Sequence, residues 1–312
     1  MTVLMWGVPS ESPVRMVAEA LAAIGADMVA VPPDPVNVEV ELGVDSRGRL
    51  DGGLRVDGRT LEWPEITAVY VRPVEPDLAP RLRNLDPAAP ALRHARVVHD
   101  ALIGFTEVAA LDGRRVANRL SAMASNMSKP FQAQTVSRHG FAVPDTLITD
   151  SAEELLEFSD RHDSIVYKST SGVRSIVTTF DAVADRWRLA RLRWCPVQFQ
   201  ERIEGPDVRV HVIGEEVYAA IVQTTAVDYR YARRQVGEDA LLQSYELPDV
   251  WAERCVSLSA DLCLPFAGID LKLAPDGRVI CFEVNPSPGY PWYEVEAGLP
   301  ISDAVARWLT AA

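Results

Sequence analysis

The stretch Cys281-Phe282-Glu283-Val284-Asn285-Pro286 alternates like a buried strand, yet it carries a carboxylate and an amide two residues apart. Residues i and i+2 of a strand point to the same face, so Glu283 and Asn285 project side by side. Two hard oxygen donors so placed suit a phosphate-bound Mg²⁺; equally, Glu283 could end the strand and Asn285-Pro286 open a turn. A second segment, Phe266-Ala-Gly-Ile-Asp270-Leu-Lys272-Leu273, breaks its apolar pattern in the same way. The turn residues Pro275-Asp276-Gly277 predict an antiparallel hairpin over 266–284, which would bring Asp270 to Glu283 and Asn285. The alternative for Asp270 and Lys272 is a simple ion pair at a sheet edge.

Other charged residues interrupt apolar runs. Glu201 follows the strand Val197–Phe199 and offers an acceptor for ribose hydroxyls. Arg209 lies inside Val208-x-Val210-x-Val212; a buried guanidinium needs a phosphate or carboxylate, or an ion pair with Asp207 or Glu201. Lys168 ends the strand 164–168 just before the small-residue loop Ser169-Thr-Ser-Gly172, where an ammonium could meet a phosphate or merely be solvated.

These residues need a framework. A strand at Val3–Trp6, a helix with Ser12 as N-cap and Pro13 at its first position, and a strand at Met28–Val31 predict a parallel α/β layer. Hairpins on its edge are expected over 43–62, a strand at Ala68–Val71, a loop over 77–90 and a helix over 91–111. A helix near 121–128 should stop at Lys129-Pro130, because a residue before proline is pushed out of the helical region. A second helix should run from Pro130 to His139, and a capping box, Ser151-x-x-Glu154, should open another after the strand Thr146–Ile148. A strand at 175–180 and a helix at 181–193 follow. The remainder reads as strands at 196–201, 207–213, 216–223, 266–273 and 279–284, with helices at 248–262 and 302–309.

The chain has 312 residues, 48% hydrophobic and 24% charged, as in an ordinary globular protein. Its net charge of −13 argues against a nucleic-acid surface. No apolar run is long enough to span a bilayer and the N-terminus lacks signal-peptide features, so a cytoplasmic, membrane-free protein is expected. The four cysteines, without CxxC spacing, read as buried free thiols, and the five histidines give no zinc signature. The glycines do not form a dinucleotide-binding GxGxxG loop.

Taken in order, a lysine before the small unit, a lysine at a strand end, Gln200-Glu-x-Ile203, Asp207-x-Arg209, Gly268-Ile-Asp270 and Glu283-Val-Asn-Pro286 resemble the ATP-grasp ligase superfamily. Asp207-Val-Arg-Val-His-Val-Ile-Gly214 and Phe282-Glu-Val-Asn-Pro-Ser-Pro-Gly-Tyr290 resemble its ribosomal-protein glutamate ligases. Val69-Tyr-Val-Arg72-Pro73, Val143-Pro-Asp-Thr-Leu-Ile-Thr149 and Asp228-Tyr-Arg230 resemble the graspetide (microviridin-type) synthetases. The resemblance implies an α/β ATP-grasp fold: an N-terminal parallel α/β domain (1–117), a central α+β subdomain (118–194) and a C-terminal strand-rich subdomain (195–312), the last two clasping ATP. It implies ATP phosphates on Lys129 and Lys168, and adenine and ribose against Gln198, Phe199, Gln200, Glu201, Ile203, Asp207 and Phe282. Asp270, Glu283 and Asn285 would hold Mg²⁺, two ions being expected, with Arg209, Arg230 and Arg174 at the reacting groups. The loop 169–174 is poorer in glycine than the family's phosphate loop, and Arg174 would supply charge in its place.

The implied reaction activates a carboxylate as an acyl phosphate, which an amine then displaces. Phosphoryl transfer needs positioning and charge neutralisation rather than a Ser-His-Asp set. Free amino acids or short peptides are the expected partners, since no appended peptide-docking unit is evident; γ-glutamyl transfer is included, and assembly as a homodimer is left open. The alternatives are cross-linking of a ribosomal precursor peptide and a nucleotide-binding regulator without chemistry. Arg72 could reach the substrate or be a surface residue ahead of Pro73, and Tyr229–Arg234 could contact an anionic substrate or be a solvated loop.

Overall fold

A computed structural model describes residues 2–32, 35, 37–169 and 177–311. Arg174 and the rest of the expected phosphate loop after Ser169 lie outside the described residues. The chain begins with β1 (Thr2–Gly7), α1 (Ser12–Ala23) and β2 (Asp27–Val31), then β3 (Val38–Val44), β4 (Leu50–Val56), β5 (Arg59–Glu62), β6 (Ile66–Arg72), α2 (Pro90–Leu111) and β7 (Arg115–Ala117). Strands β2-β1-β6-β7 form an all-parallel sheet. Such sheets are stable only with both faces covered. One face packs through Leu4, Trp6 and Val69 against α2 and the separate antiparallel sheet β3-β4-β5; the other packs through Val3, Met5 and Tyr70 against α1. Segment 38–62 is thus a sheet of its own rather than an edge extension. Glu11, not Ser12, caps α1, with no side-chain hydrogen bond.

Next come α3 (Leu120–Met123), α4 (Lys129–Arg138), β8 (Thr146–Thr149), α5 (Ala152–Asp160), β9 (Ile165–Ser169), β10 (Thr178–Thr179), α6 (Arg186–Leu192) and β11 (Val197–Glu201). Lys129 does not end the preceding helix. That helix tightens into a 3₁₀ turn over Ala124–Met127, and Ser128 becomes the N-cap of α4, its Oγ accepting from the Phe131 N–H. Pro130 is tolerated because first-turn N–H groups have no intrahelical partner. Only half of the expected capping box forms: Ser151 Oγ accepts from the Glu154 N–H, whereas the Glu154 carboxylate takes the Thr149 hydroxyl at 2.6 Å.

The last part comprises β12 (Asp207–Ile213), β13 (Glu216–Gln223), α7 (Ala232–Val236), β14 (Leu241–Tyr245), α8 (Asp249–Asp261), β15 (Phe266–Leu273), β16 (Val279–Asn285), α9 (Pro291–Ala297) and α10 (Ile301–Thr310). Strands β14-β13-β12-β15-β16 form one antiparallel sheet, and β10-β9-β11-β8 a smaller one. Strand β11 therefore belongs with the central strands, although the boundary at 194/195 assigned it to the C-terminal part. Conversely α4 packs on β16, so the segment after 118 belongs partly to the C-terminal sheet. Strand β14, with α7 and α9, had no clear periodic signal in so short a span.

Two buried amides tie these parts together. Gln132 on α4 donates to Val284 O (2.7 Å) and accepts from Val284 N–H (3.2 Å), imitating a neighbouring strand on the outer edge of β16. Asn118 donates to Phe266 O and Pro286 O and accepts from Phe266 N–H. An edge strand left bare would expose unpaired backbone groups. Replacing Gln132 by Ala removes both partners of a buried peptide group, at a cost of about 2 kcal/mol. Urea unfolding should show the midpoint falling for Gln132→Ala, while Gln134→Ala, two positions along on the exposed side of α4, leaves it unchanged.

Candidate active site

The site grows from the alternation of β12, β15 and β16. In register, Asp207 faces Lys272, Arg209 faces Asp270, and Asp270 faces Glu283. The opposite face carries Val208, Val210, Ile269, Leu271 and Val284, buried beneath α8 and α4. Strict alternation from Cys281 would have turned Glu283 to that apolar side. A β-bulge prevents this: Leu271 pairs with Cys281 and Asp270 with Glu283, leaving Phe282 unpaired. A bulge inserts one residue and re-aims those beyond it. Phe282 and Glu283 therefore both line the cleft, and Asn285, opposite Gly268, shares the Glu283 face.

The charges pair along this face. Arg209, 5% exposed, donates from Nη1 to Asp270 Oδ1 at 2.7 Å. Lys129 Nζ lies 2.8 Å from Glu283 Oε1 and donates to Asn126 Oδ1 at 2.7 Å. Lys272 binds Asp207 at 3.1 Å and the Gly205 carbonyl at 3.3 Å. The simple Asp270–Lys272 pair thus gives way to two cross-strand pairs, and Arg209 takes Asp270 rather than Asp207 or Glu201. Lys168 is no solvated strand end: burial pushes its pKa down, opposed chiefly by Glu283. For Glu283, burial works against ionisation, but Lys129 and Lys168 outweigh it and hold the carboxyl below its ordinary range. For Arg209, burial also opposes the charge and Asp270 more than offsets it, so the pKa moves up. Burial lifts Asp207 despite Lys272.

Asp270, Glu283 and Asn285 thus form a hard oxygen donor set on adjacent strands beside cations, which fits a phosphate-bound divalent ion. The cleft encloses ≈ 320 Å³ between the central and C-terminal sheets. Lys168, Gln200, Glu201, Ile203, Asp207 and Phe282 line it, as does Arg230. Gln198 pairs in register with Lys168 and is buried, its side-chain oxygen without a partner among the described residues. Phe199 points the other way, into the small core with Leu155, Phe158 and Ile165, because neighbouring strand residues alternate faces. Its side chain is not a cleft residue.

Near the end of β11, His162 Nδ1 meets Phe158 O at 2.8 Å, and Nε2 lies 3.2 Å from Asp145 and 4.0 Å from Glu201. The Phe158 carbonyl and then Asp145 raise the His162 pKa, and no sequence signal pointed to this contact. Arg230 forms a bidentate pair with the buried Asp228. The 228–236 segment is only partly solvated: Tyr229 is half-buried, its hydroxyl 2.8 Å from that of Tyr293, whereas Arg233, Arg234 and Val236 are exposed. Arg72 is half-buried and donates to Pro288 O at 3.0 Å, anchoring the loop after Asn285. Of the thiols, Cys255 and Cys281 are buried as expected, whereas Cys195 and Cys263 are exposed.

Gly268 was quoted only as part of a motif, yet its missing Cβ is a structural requirement. An added Cβ would lie 2.0 Å from Arg209 Nη2 and 2.7 Å from Pro288 Cβ.

Fold and site together define an ATP-grasp protein. The model of the RimK-like ATP-grasp domain matches residues 129–309, and the chain belongs to that family. It is 24% identical over 204 residues to a probable alpha-L-glutamate ligase from Rhodopirellula baltica and 25% identical over 201 residues to a ribosomal protein bS6 L-glutamate ligase from Shigella flexneri. Each match covers 62% of this chain, which spans 50% and 66% of those two proteins' lengths. Among solved structures, the ligase PsnB complexed with a phosphomimetic variant of minimal precursor, Mg and ADP is 27% identical, with a TM-score of 0.78 over 99% of this chain and 97% of that one. The macrocyclase MdnC of Microcystis aeruginosa, bound with precursor peptide MdnA, is 23% identical with a TM-score of 0.78 over 100% of both chains. Among the described residues no helix is long and apolar enough to cross a membrane.

Two outcomes follow from this geometry. Gly268→Ala should displace the Arg209 guanidinium and cost about 1–3 kcal/mol by overpacking, read as a lower melting temperature that Gly289→Ala, in open space, does not produce. Lys129→Met leaves the Glu283 burial penalty opposed only by Lys168 and a hydrogen bond from Asn126. In the wild type the depressed Glu283 pKa contributes stability present above the unfolded value of about 4.3 and lost as pH falls through the folded one. The gap in melting temperature between wild type and Lys129→Met should therefore be widest near neutrality and close as the pH falls below about 4; a gap independent of pH contradicts the pairing.

Proposed function

We propose that this protein is an ATP-dependent ligase that activates a carboxylate as an acyl phosphate and joins it to a nucleophile, an amine by first choice. The observation that carries the reading is the file of charges Lys129, Glu283, Asp270 and Arg209, two adjacent carboxylates between two cations, at the end of the cleft and flanked by Lys168. Such a file offers oxygen ligands to a metal–phosphate complex and cations to its oxygens, the two requirements of phosphoryl transfer.

In this reading Lys129 and Lys168 hold the phosphates, Gln198 and Gln200 with Ile203 and Phe282 border the adenine, and Glu201, steadied by His162, receives the ribose hydroxyls. Asp207 acts at one remove, fixing Lys272 at the cleft. Asp270, Glu283 and Asn285 would hold Mg²⁺, expected as two ions, which supplies charge neutralisation on the transferring group. The substrate carboxylate attacks the γ-phosphorus, the bond to the ADP oxygen breaks, and the nucleophile then expels inorganic phosphate. Arg209 and Arg230 stabilise the oxygens that gain charge, Arg174 being a further candidate. Losing one such donor typically costs about 3 kcal/mol, near a hundredfold in turnover.

For the substrate, a feature outside the cleft favours a peptide over the free amino acid preferred from sequence. The far face of the central sheet carries an apolar groove of ≈ 390 Å³ lined by Tyr167, Phe180, Leu189, Leu192 and Val197. Trp187, 58% exposed, lies at its rim with Arg188 and Arg191, whose guanidinia lie over the Trp187 ring. A free amino acid held in the cleft has no use for such a surface, whereas an amphipathic peptide with acidic residues fits it, and the MdnC and PsnB complexes contain precursors. ADP release should be stimulated by an acidic peptide encoded beside the gene and not by any panel of single or paired amino acids. Leu189→Asp should raise the KM for that peptide at least tenfold and leave the KM for ATP unchanged. Full stimulation by free amino acids would overturn the peptide assignment.

A further inference from the structure

The polar face of β12 continues past Arg209 to His211, which none of the assignments above uses. His211 is 0% exposed, and neither ring nitrogen has a hydrogen-bond partner among the described residues. Two residues away on the same face, Arg209 has the same deficit: Nη1 is on Asp270, but its buried Nε has no partner. Unsatisfied buried polar atoms are rare, because each carries an uncompensated desolvation cost. Here the two deficits are complementary. Burial, reinforced by the neighbouring Arg209 charge, holds the imidazole neutral, so it carries one N–H and one lone pair. The Tyr293 ring lies in a T-shaped contact with the imidazole, centroids 5.1 Å apart. The lone pair needs a donor, and Arg209 Nε–H is a donor without an acceptor.

The two side chains share one face of the strand and make no direct hydrogen bond with each other, and a single water, with one hydrogen bond of about 2.8 Å to each, can serve both. Gly268, across from His211 in register, provides the clearance over which the guanidinium lies. We infer that His211 is a positioning residue: through one buried water it accepts from Arg209 Nε–H and fixes the roll of the guanidinium, so that Nη1 stays on Asp270 and Nη2 over Gly268. The inference rests on the proposed role of Arg209 at the transferring phosphoryl group. Without the acceptor, Arg209 keeps its place in the strand and loses its orientation toward the γ-phosphate.

The test compares the affinities of the full-length protein for Mg·AMP-PNP and Mg·ADP, which differ by the group Arg209 is proposed to face. His211→Phe should weaken Mg·AMP-PNP about tenfold and leave Mg·ADP unchanged, while His211→Gln, which restores an acceptor, stays within about threefold of wild type. Because His211 acts through Arg209, the two should not be additive: His211→Phe with Arg209→Lys should be no weaker than Arg209→Lys alone. If Arg209→Lys leaves the AMP-PNP to ADP ratio unchanged, the role of Arg209 is wrong, whatever His211 does. If Arg209→Lys lowers the ratio but His211→Phe does not, or if their effects multiply, the inference about His211 is overturned. Should His211→Phe fail to fold, a high-resolution crystal structure of the wild type decides. Water density within hydrogen-bonding distance of both Arg209 Nε and His211 supports the inference, and its absence refutes it.

Discussion

The open edge of β16 is the constraint on which the site depends. A strand with bare N–H and C=O groups must be paired, covered or avoided, and this one is closed by the Gln132 amide on Val284 and by Ala142 on Val279 and Cys281. The closure also has a chemical result. Gln132 docks α4 in a fixed place, and Lys129, three residues earlier on the same helix, is thereby delivered to Glu283. Asn118 does the same for the loop after Asn285, holding Pro286 O beside the start of β15. A side-chain amide can do this because it carries the donor and acceptor of a peptide group. Segments distant in sequence meet beside Asp270, Glu283 and Asn285 through backbone-like bonds as well as through a shared apolar core.

Charge order follows from that placement. Buried ions are tolerated when paired and hydrogen-bonded, and costly otherwise. The polar face satisfies the rule by pairing, Lys129 with Glu283, Arg209 with Asp270, Lys272 with Asp207. The same face is apolar at its other end, where Ile213, Ala220 and Phe266 pack against α10 and the N-terminal sheet. One sheet face thus serves as core at one end and as cleft wall at the other. The packed end thereby fixes the position of the charged end.

Much of this was legible in the chain. Polar residues at i and i+2 in otherwise apolar strands gave Asp270, Glu283, Asn285 and Arg209, because such interruptions are expensive unless used. The turn at Pro275-Asp276-Gly277 gave the hairpin that brings the carboxylates together. What stayed hidden depends on partners distant in sequence. The face of Phe199 could not be read from an apolar run, and β11 joined the central sheet through pairing with β8 and β9 that no local pattern encodes. Gln132 and Asn118 looked like ordinary helix and loop residues, since an amide satisfied by a remote backbone resembles one satisfied by water. Short elements such as β14 and α7 offered too few residues for a period to emerge.

The bulge at Phe282 carries a consequence of its own. The two halves of β16 are out of phase: before Phe282, even-numbered residues share the side of Lys272, and after it odd-numbered ones share the side of Asp270. The juxtaposition of Asp270, Glu283 and Asn285 is therefore a matter of parity as much as of residue type. Every substitution that keeps the count of residues between the turn and Pro286 leaves Glu283 opposite Asp270. Gain or loss of a single residue there would invert the strand's second half, sending Val284 into the cleft and the carboxylate into the oily layer beneath α8. In this strand, counting comes before chemistry.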